Sequence, residues 1–314
     1  MWNDVTRPLA VGLLCAASAC STPPACPGAA FDEAAMTDDV TWLASPALDG
    51  RAPGSAGDEE ARAFVEDRFA CLGLEAPAEF EGYQQPFTDS EGNETANVIG
   101  YLPGADATVG GDILVVSAHV DHFGDGRLGA NDNASGIAGL LAIAQAFSEG
   151  ESTSRTVVFA VFGAEESGDE GSASLYAGAP DELPTDDFVY DVNMDMIGSY
   201  TQTGTVWALG SMAGTPGRAS LDLLVEDYPD LDVGLGEPSD QSDNQEFCLA
   251  GVPYVFFWTE DPDCYHRKCD TADRIDYPEL VEIAELTGDL AEDLANTSAD
   301  LRAAVEPGTD VCGM

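Results

Sequence analysis

The stretch ILVVSAHVDHFGDGRLGANDNASG, residues 113–136, decides how the chain is read. Its opening, Ile113, Leu114, Val115 and Val116, is an apolar run rich in β-branched residues, the pattern of a buried strand. It passes directly into Ser117, Ala118, His119, Val120, Asp121 and His122, so polar groups begin where the strand stops. Asp132 follows inside the turn Gly129, Ala130, Asn131, Asp132, Asn133, Ala134, Ser135, Gly136, and residues 137–147 then read as a helix of small and apolar residues. Strand, polar turn and helix make a βα unit, in which functional groups gather at the strand's carboxyl end. An imidazole and a carboxylate converging there suit zinc or a similar divalent ion. His119 and Asp121 are two apart in an extended segment, so both leave the same face, and Asp121 can accept a proton from the ring nitrogen that a metal does not use.

The same arrangement recurs along the chain. Residues 156–163 read as a strand that delivers Ala164, Glu165, Glu166, Ser167 and Gly168. Adjacent carboxylates at the end of a buried strand are costly unless a cation lies between them or one keeps a proton. With a metal present, one ligates and its neighbour serves as general base. A strand over 188–193 ends in Met194, Asp195 and Met196; another over 252–258 is followed by Cys264, Tyr265, His266, Arg267, Lys268, Cys269, Asp270 and Thr271. Residues 31–74 predict two helices around a turn at 49–57, residues 97–102 a strand, and 277–295 a final helix. The chain has 3 histidines, each just past a predicted strand, which packing alone would not produce. His119, Asp132, Glu166, Asp195 and His266 are the candidate ligands, enough for two ions roughly 3.5–4 Å apart that share a bridging carboxylate. Glu165 is left over.

Residues 1–19 have the layout of a signal peptide, an apolar small-residue run too short to span a bilayer. The run ends in Ala17, Ser18, Ala19, Cys20, similar to a lipobox with Cys20 as the lipidated residue, although Ala stands at position 17 where Leu is usual. Export is therefore expected, either as a cell-envelope lipoprotein or as a secreted product, with residues 20–30 as a tether and a soluble body over 31–314. The formal net charge is −47, and loss of residues 1–19 removes one base and one acid without changing it. So acidic a surface repels nucleic acid and anionic membranes. It fits salt adaptation or secretion, and calcium binding on it has no support in any motif. Of 8 cysteines, those left after Cys15 and Cys20 are Cys26, Cys71, Cys248, Cys264, Cys269 and Cys312. In an exported chain this even set favours disulfides, with Cys264 and Cys269 the nearest pair; a thiolate metal site is the rival reading.

The ordered set of His119 with Asp121, Asp132 in its Gly-Ala-Asn-Asp-Asn-Ala-Ser-Gly turn, Glu165 with Glu166, Asp195, and His266 followed by Asp270 and Thr271 resembles the M28 family of zinc peptidases over about residues 31–300. The resemblance implies two zinc ions, one held by His119 and Asp195, the other by Glu166 and His266, with Asp132 between them. It puts Glu165 on the general base, Asp121 and Asp270 in support of the ligands, and a bond that is often cis at Asp132–Asn133. Asn131 stands where relatives often have Asp. A family Ser-Asp-His motif appears as Ser242, Asp243 and Asn244, so Asn244 replaces a histidine that lines the site in many relatives.

The implied function is an aminopeptidase that removes the N-terminal residue of peptides or proteins, with Met196, Asn244 and Tyr265 as candidate pocket residues for an apolar side chain. A dipeptidase or carboxypeptidase of the same clan, or a one-zinc glutaminyl cyclase, are the alternatives; the presence of His119 argues against the last. The expected fold is a single α/β domain, a mixed and mainly parallel twisted sheet with helices on both faces and the site at the strands' carboxyl ends. A monomer is the expected state.

Overall fold

A computed structural model describes residues 28–211, 214–302 and 312. The expected signal peptide, the tether up to residue 27, Cys20 and Cys26 lie outside the described residues.

Asp32 caps helix α1 (Glu33–Leu43) by accepting the Ala35 N–H at 2.8 Å, and Met36, Val40 and Leu43 bury one face of it. Ser55 caps α2 (Ala56–Leu72) in the same way, accepting the Asp58 N–H at 3.1 Å. Such side-chain oxygens satisfy amides that a helix start leaves bare. After these come β1 (Gln84–Thr88), β2 (Glu94–Leu102), β3 (Ile113–His119), α3 (Gly136–Glu149), β4 (Thr156–Phe162), α4 (Glu170–Ala177) and β5 (Phe188–Met194). The chain continues through α5 (Tyr200–Thr203), β6 (Val206–Leu209), α6 (Pro216–Leu224), β7 (Val233–Leu235), α7 (Asn244–Leu249), β8 (Tyr254–Thr259) and α8 (Tyr277–Asn296).

The strands form one eight-stranded sheet in the order β1-β2-β4-β3-β5-β8-β6-β7. The central four, β4, β3, β5 and β8, are parallel; β1, β2 and β6 join antiparallel. Leu114 and Val116 pack into the larger core with Ile137, Leu140 and Leu290, while Ile113 and Val115 face the other core with Leu175 and Phe247. Neighbouring residues of β3 are thus buried on opposite faces, which is why its sequence is an unbroken apolar run. The chain moves from β3 through α3 to β4 on one side, then returns to place β5 on the other side of β3. That reversal opens a crevice at the carboxyl ends of β3 and β5.

Strands β1, β6 and β7 go beyond the sequence reading. β1 lies on the sheet edge and contains Pro86, which lacks the N–H a central strand needs. β6 and β7 have 4 and 3 residues, too few to show a period. Among the described residues, no helix is long and apolar enough to cross a membrane.

Candidate metal centre

Each predicted carboxyl-end residue arrives at one crevice. His119 is the last residue of β3, Glu165 and Glu166 follow β4, Asp195 follows β5, and His266 lies in the loop after β8. His119 Nε2 lies 3.2 Å from Asp195 Oδ1 and 3.5 Å from Asp132 Oδ1. His266 Nε2 lies 3.2 Å from Asp132 Oδ2 and 3.4 Å from Glu166 Oε2. Ligands on a tetrahedral ion with bonds of 2.0–2.1 Å stand about 3.3 Å apart, and these four separations match that edge. Asp132 presents one oxygen to each group. His119 Nε2, Asp132 Oδ2 and Asp195 Oδ1 are buried without a hydrogen-bond partner. Buried polar atoms are rarely left so, and here they are the atoms a cation would take.

Asp132 is carried by a turn that packing holds rigidly. Its peptide bond to Asn133 is cis. Asp270 accepts the N–H groups of Asn131 and Asp132 at 2.7 and 3.1 Å. Asn133 donates to the Met194 carbonyl at 2.9 Å and accepts the Met196 N–H at 3.2 Å, tying the turn to the end of β5. Gly129 opens the turn at φ 63°, and a Cβ there would lie 2.2 Å from the Asp132 carbonyl oxygen, so only glycine fits.

Asp121 does not act as the sequence suggests. The His119 Nδ1 faces the Asp121 backbone carbonyl at 3.2 Å, while the carboxylate stands 3.8 Å away. The carboxylate instead accepts the N–H groups of Glu165 and Glu166 at 3.0 and 3.2 Å, fastening the loop after β4 to the loop after β3. Those amides open a turn with no helical partners of their own, so a neighbouring carboxylate satisfies them.

Two residues of the site escaped the sequence reading. His122 is fully buried, with Nδ1 2.6 Å from Glu166 Oε1 and 3.7 Å from Asp132 Oδ2. Its rank as one of 3 histidines was the available signal. Arg51, also fully buried, donates to the carbonyls of Val120, Leu43, Leu128 and Gly129 at 2.6–2.9 Å and so clips both ends of the loop between His119 and Asp132 to the end of α1. No local pattern marks it.

Electrostatics point the same way. Burial pushes the Glu165 and Asp195 carboxyls up despite the nearby His119. Burial alone would lower the His119 imidazole, but Glu165, Asp195 and Asp132 drive it well above its usual value. Acids crowded around one buried imidazole in this way concentrate negative charge, which suits a bound cation.

A cavity of about 600 Å³ opens over these residues, lined by Met196, Phe256, Trp258 and Tyr265 and by the acids Asp240 and Glu260. Asn244 is not part of that lining. It is fully buried, donating to the Ser239 carbonyl and accepting from Asn193 behind the cavity wall. The loop that carries Tyr265 and His266 is closed by the disulfide Cys264–Cys269, and a second disulfide joins Cys248 to Cys312. The thiolate reading is thereby set aside for these four cysteines.

The chain is similar to leucine aminopeptidase 2 of Trichophyton equinum, 31% identical over 174 residues, which is 52% of this chain and 33% of that protein. It is also similar to the probable lipoprotein aminopeptidase LpqL of Mycobacterium tuberculosis (strain ATCC 25618 / H37Rv), 28% identical over 220 residues, 58% of this chain and 43% of that one. The matches span only about a third to under half of these relatives' length. Among solved structures, the aminopeptidase from Aneurinibacillus sp. strain AM-1 superposes with a TM-score of 0.70 at 18% identity, covering 89% of this chain and 97% of that one. BSAP, a zinc aminopeptidase from Bacillus subtilis, does so with a TM-score of 0.71 at 15% identity, covering 91% and 100%. At those identities the likeness concerns the fold. The model of peptidase family M28 matches residues 97–291, well over half of the chain and inclusive of every ligand candidate. With strands, crevice and paired donor groups all in agreement, the chain belongs to peptidase family M28.

Proposed function

We propose that this protein is an exported aminopeptidase that holds two zinc ions and removes single residues from the N-termini of peptides. His119, Asp195 and one oxygen of Asp132 would hold the first ion, and His266, Glu166 and the other oxygen of Asp132 the second. The observation that carries this reading is the pair of donor groups at tetrahedral-edge separations with Asp132 common to both. When bound, the ions supply Lewis-acid polarisation of the scissile carbonyl and lower the pKa of the attacking water.

The chain's own residues do the remainder. Glu165 lies in the cavity lining, 3.8 Å from His119 Nε2 and outside both donor groups. It takes the proton of the attacking water and returns it to the leaving amine. Burial and the carboxylates of Asp195, Asp243 and Glu166 raise its proton affinity, which suits a base that must give the proton back. Met196, Phe256, Trp258 and Tyr265 offer an apolar wall for the first side chain, and the anionic surroundings favour a protonated substrate amine.

Hydrolysis of leucyl-p-nitroanilide compared with its N-acetylated form, with zinc measured on the same sample, tests the proposal. Cleavage of the free amine alone, at two zincs per chain, is the expected result. Cleavage of the blocked substrate at an equal rate would overturn the aminopeptidase reading, and cyclisation of N-terminal glutamine at one zinc per chain would replace it.

A further inference from the structure

We propose that His122 is a positioning residue: its Nδ1–H grips one oxygen of Glu166 so that the other faces the second ion, and His122 does not itself coordinate. The inference rests on the two-zinc reading. His122 is the one histidine that the paired donor groups above leave unused.

Distances separate the two roles a buried imidazole could play. Donors on a common tetrahedral zinc stand about 3.3 Å apart. His266 Nε2 keeps 3.2 and 3.4 Å from Asp132 Oδ2 and Glu166 Oε2. His122 Nδ1 is only 2.6 Å from Glu166 Oε1, too close for two donors on one ion and suited to a hydrogen bond onto a carboxylate. It approaches the opposite oxygen from the one that His266 faces. Glu166 is therefore divided, one oxygen held by His122 and one turned to the His266 side.

The ring cannot easily leave this pose. Phe123 packs edge-on against it with centroids 5.1 Å apart, and the His266 ring stands at 5.9 Å. On another side the backbone at Gly129 comes so near that a Cβ there would lie 2.8 Å from His122 Cγ. The rival arrangement, with His122 as ligand in place of the partly exposed His266, draws on the fact that donors of His122, Asp132 and Glu166 all lie within 4.8 Å. It does not account for the 2.6 Å contact.

The test is zinc titration of the metal-free protein by chelator competition, with X-ray absorption counting the imidazoles per zinc. His122→Ala should weaken one of two sites about 10- to 100-fold, the usual effect of losing a hydrogen bond to a ligand, and leave the other site and the imidazole count unchanged. His122→Asn should recover most of the affinity, because its amide nitrogen falls near the Nδ1 position and donates the same bond. His122→Gln, whose amide falls nearer Nε2, should not. Loss of an imidazole in His122→Ala, unchanged affinity, or an Asn variant no better than Gln would each overturn the proposal. If the alanine protein does not fold, the Asn and Gln variants decide between themselves. These readouts need no peptide hydrolysis, so failure of the aminopeptidase reading on substrates stays distinct from failure here. A wild-type protein that binds a single zinc would remove the two-ion reading and this inference with it.

Discussion

The sheet has a fully buried arginine at each end, and the two are balanced differently. At the amino end, Arg155 precedes β4, donates to the carbonyls of Leu294 in the last turn of α8 and of Thr297 and Ala299 beyond it, and lies 3.4 Å from the Asp112 carboxylate. Its charge has a carboxylate partner within the protein. At the carboxyl end, Arg51 gives its hydrogen bonds to four backbone carbonyls. Burial pulls the guanidinium down to about 10, although Asp270, Asp121, Asp132 and Glu166 hold it up. At the same end of the sheet, Asp132 and Asp195 keep buried oxygens without a hydrogen-bond partner. One end of the sheet is neutralised by its own residues, and the other gathers buried acids whose free oxygens suit a zinc site.

The largest effect that could break this comparison is chemical. Glu165→Gln keeps the volume and removes the base, so turnover should fall about 10²- to 10⁴-fold with zinc content unchanged; near-normal turnover would show that the acid at the carboxyl end has no chemical task. The two arginines sharpen the contrast directly. Arg51→Met and Arg155→Met each strand several buried carbonyls, and each should cost about 3–5 kcal/mol in denaturant unfolding. Only Arg51→Met should also weaken zinc binding, by about tenfold or more; equal losses of zinc affinity would erase the distinction.

A smaller effect is expected at the rim of the site. Cys264 and Cys269 are 5 apart in sequence, so replacing both by Ser should cost about 2 kcal/mol by loop closure. It should also loosen His266, seen as a few-fold loss of zinc affinity with the fold intact by circular dichroism. The smallest effect per step is the pH response of the metal-free protein. Burial raises Asp121 to about 6 and Asp270 to about 7. Their folded pKa values lie above the unfolded ones, so the folded state holds the extra protons. Stability should therefore fall as pH rises from about 4 to 7, by at most about 1.4 kcal/mol per unit for each group. Zinc should flatten that slope, because the ion replaces the protons. A metal-free melting temperature that rises over the same range would contradict the account.

Much of the carboxyl end was legible before the structure. The run from Ile113 to Val116, the turn around Asp132, the Glu165–Glu166 pair and the histidines past strand ends all follow from period and position. What misled was local proximity. Asp121 is two residues from His119, yet its carboxylate serves the amides of Glu165 and Glu166. Asn244 occupies a position that lines the site in relatives, but here it is buried behind the cavity wall.

The sequence by itself determined the parallel central strands, the chemical types at their ends and the membership that those types imply, because burial on both faces leaves an apolar run that any reader can find. It also announced a charge imbalance so large that partners of like sign are repelled. Only the tertiary structure decided which oxygen of Asp132 meets which histidine, that His122 touches Glu166, and that Arg51 lies beneath the loop from His119 to Asp132. These depend on contacts between residues far apart in the chain, such as Arg51 with Gly129 and Asp270 with Asn131. A period along one strand carries no information about such pairs, since they arise where separate strands end side by side and the turns after them compete for the same few donors.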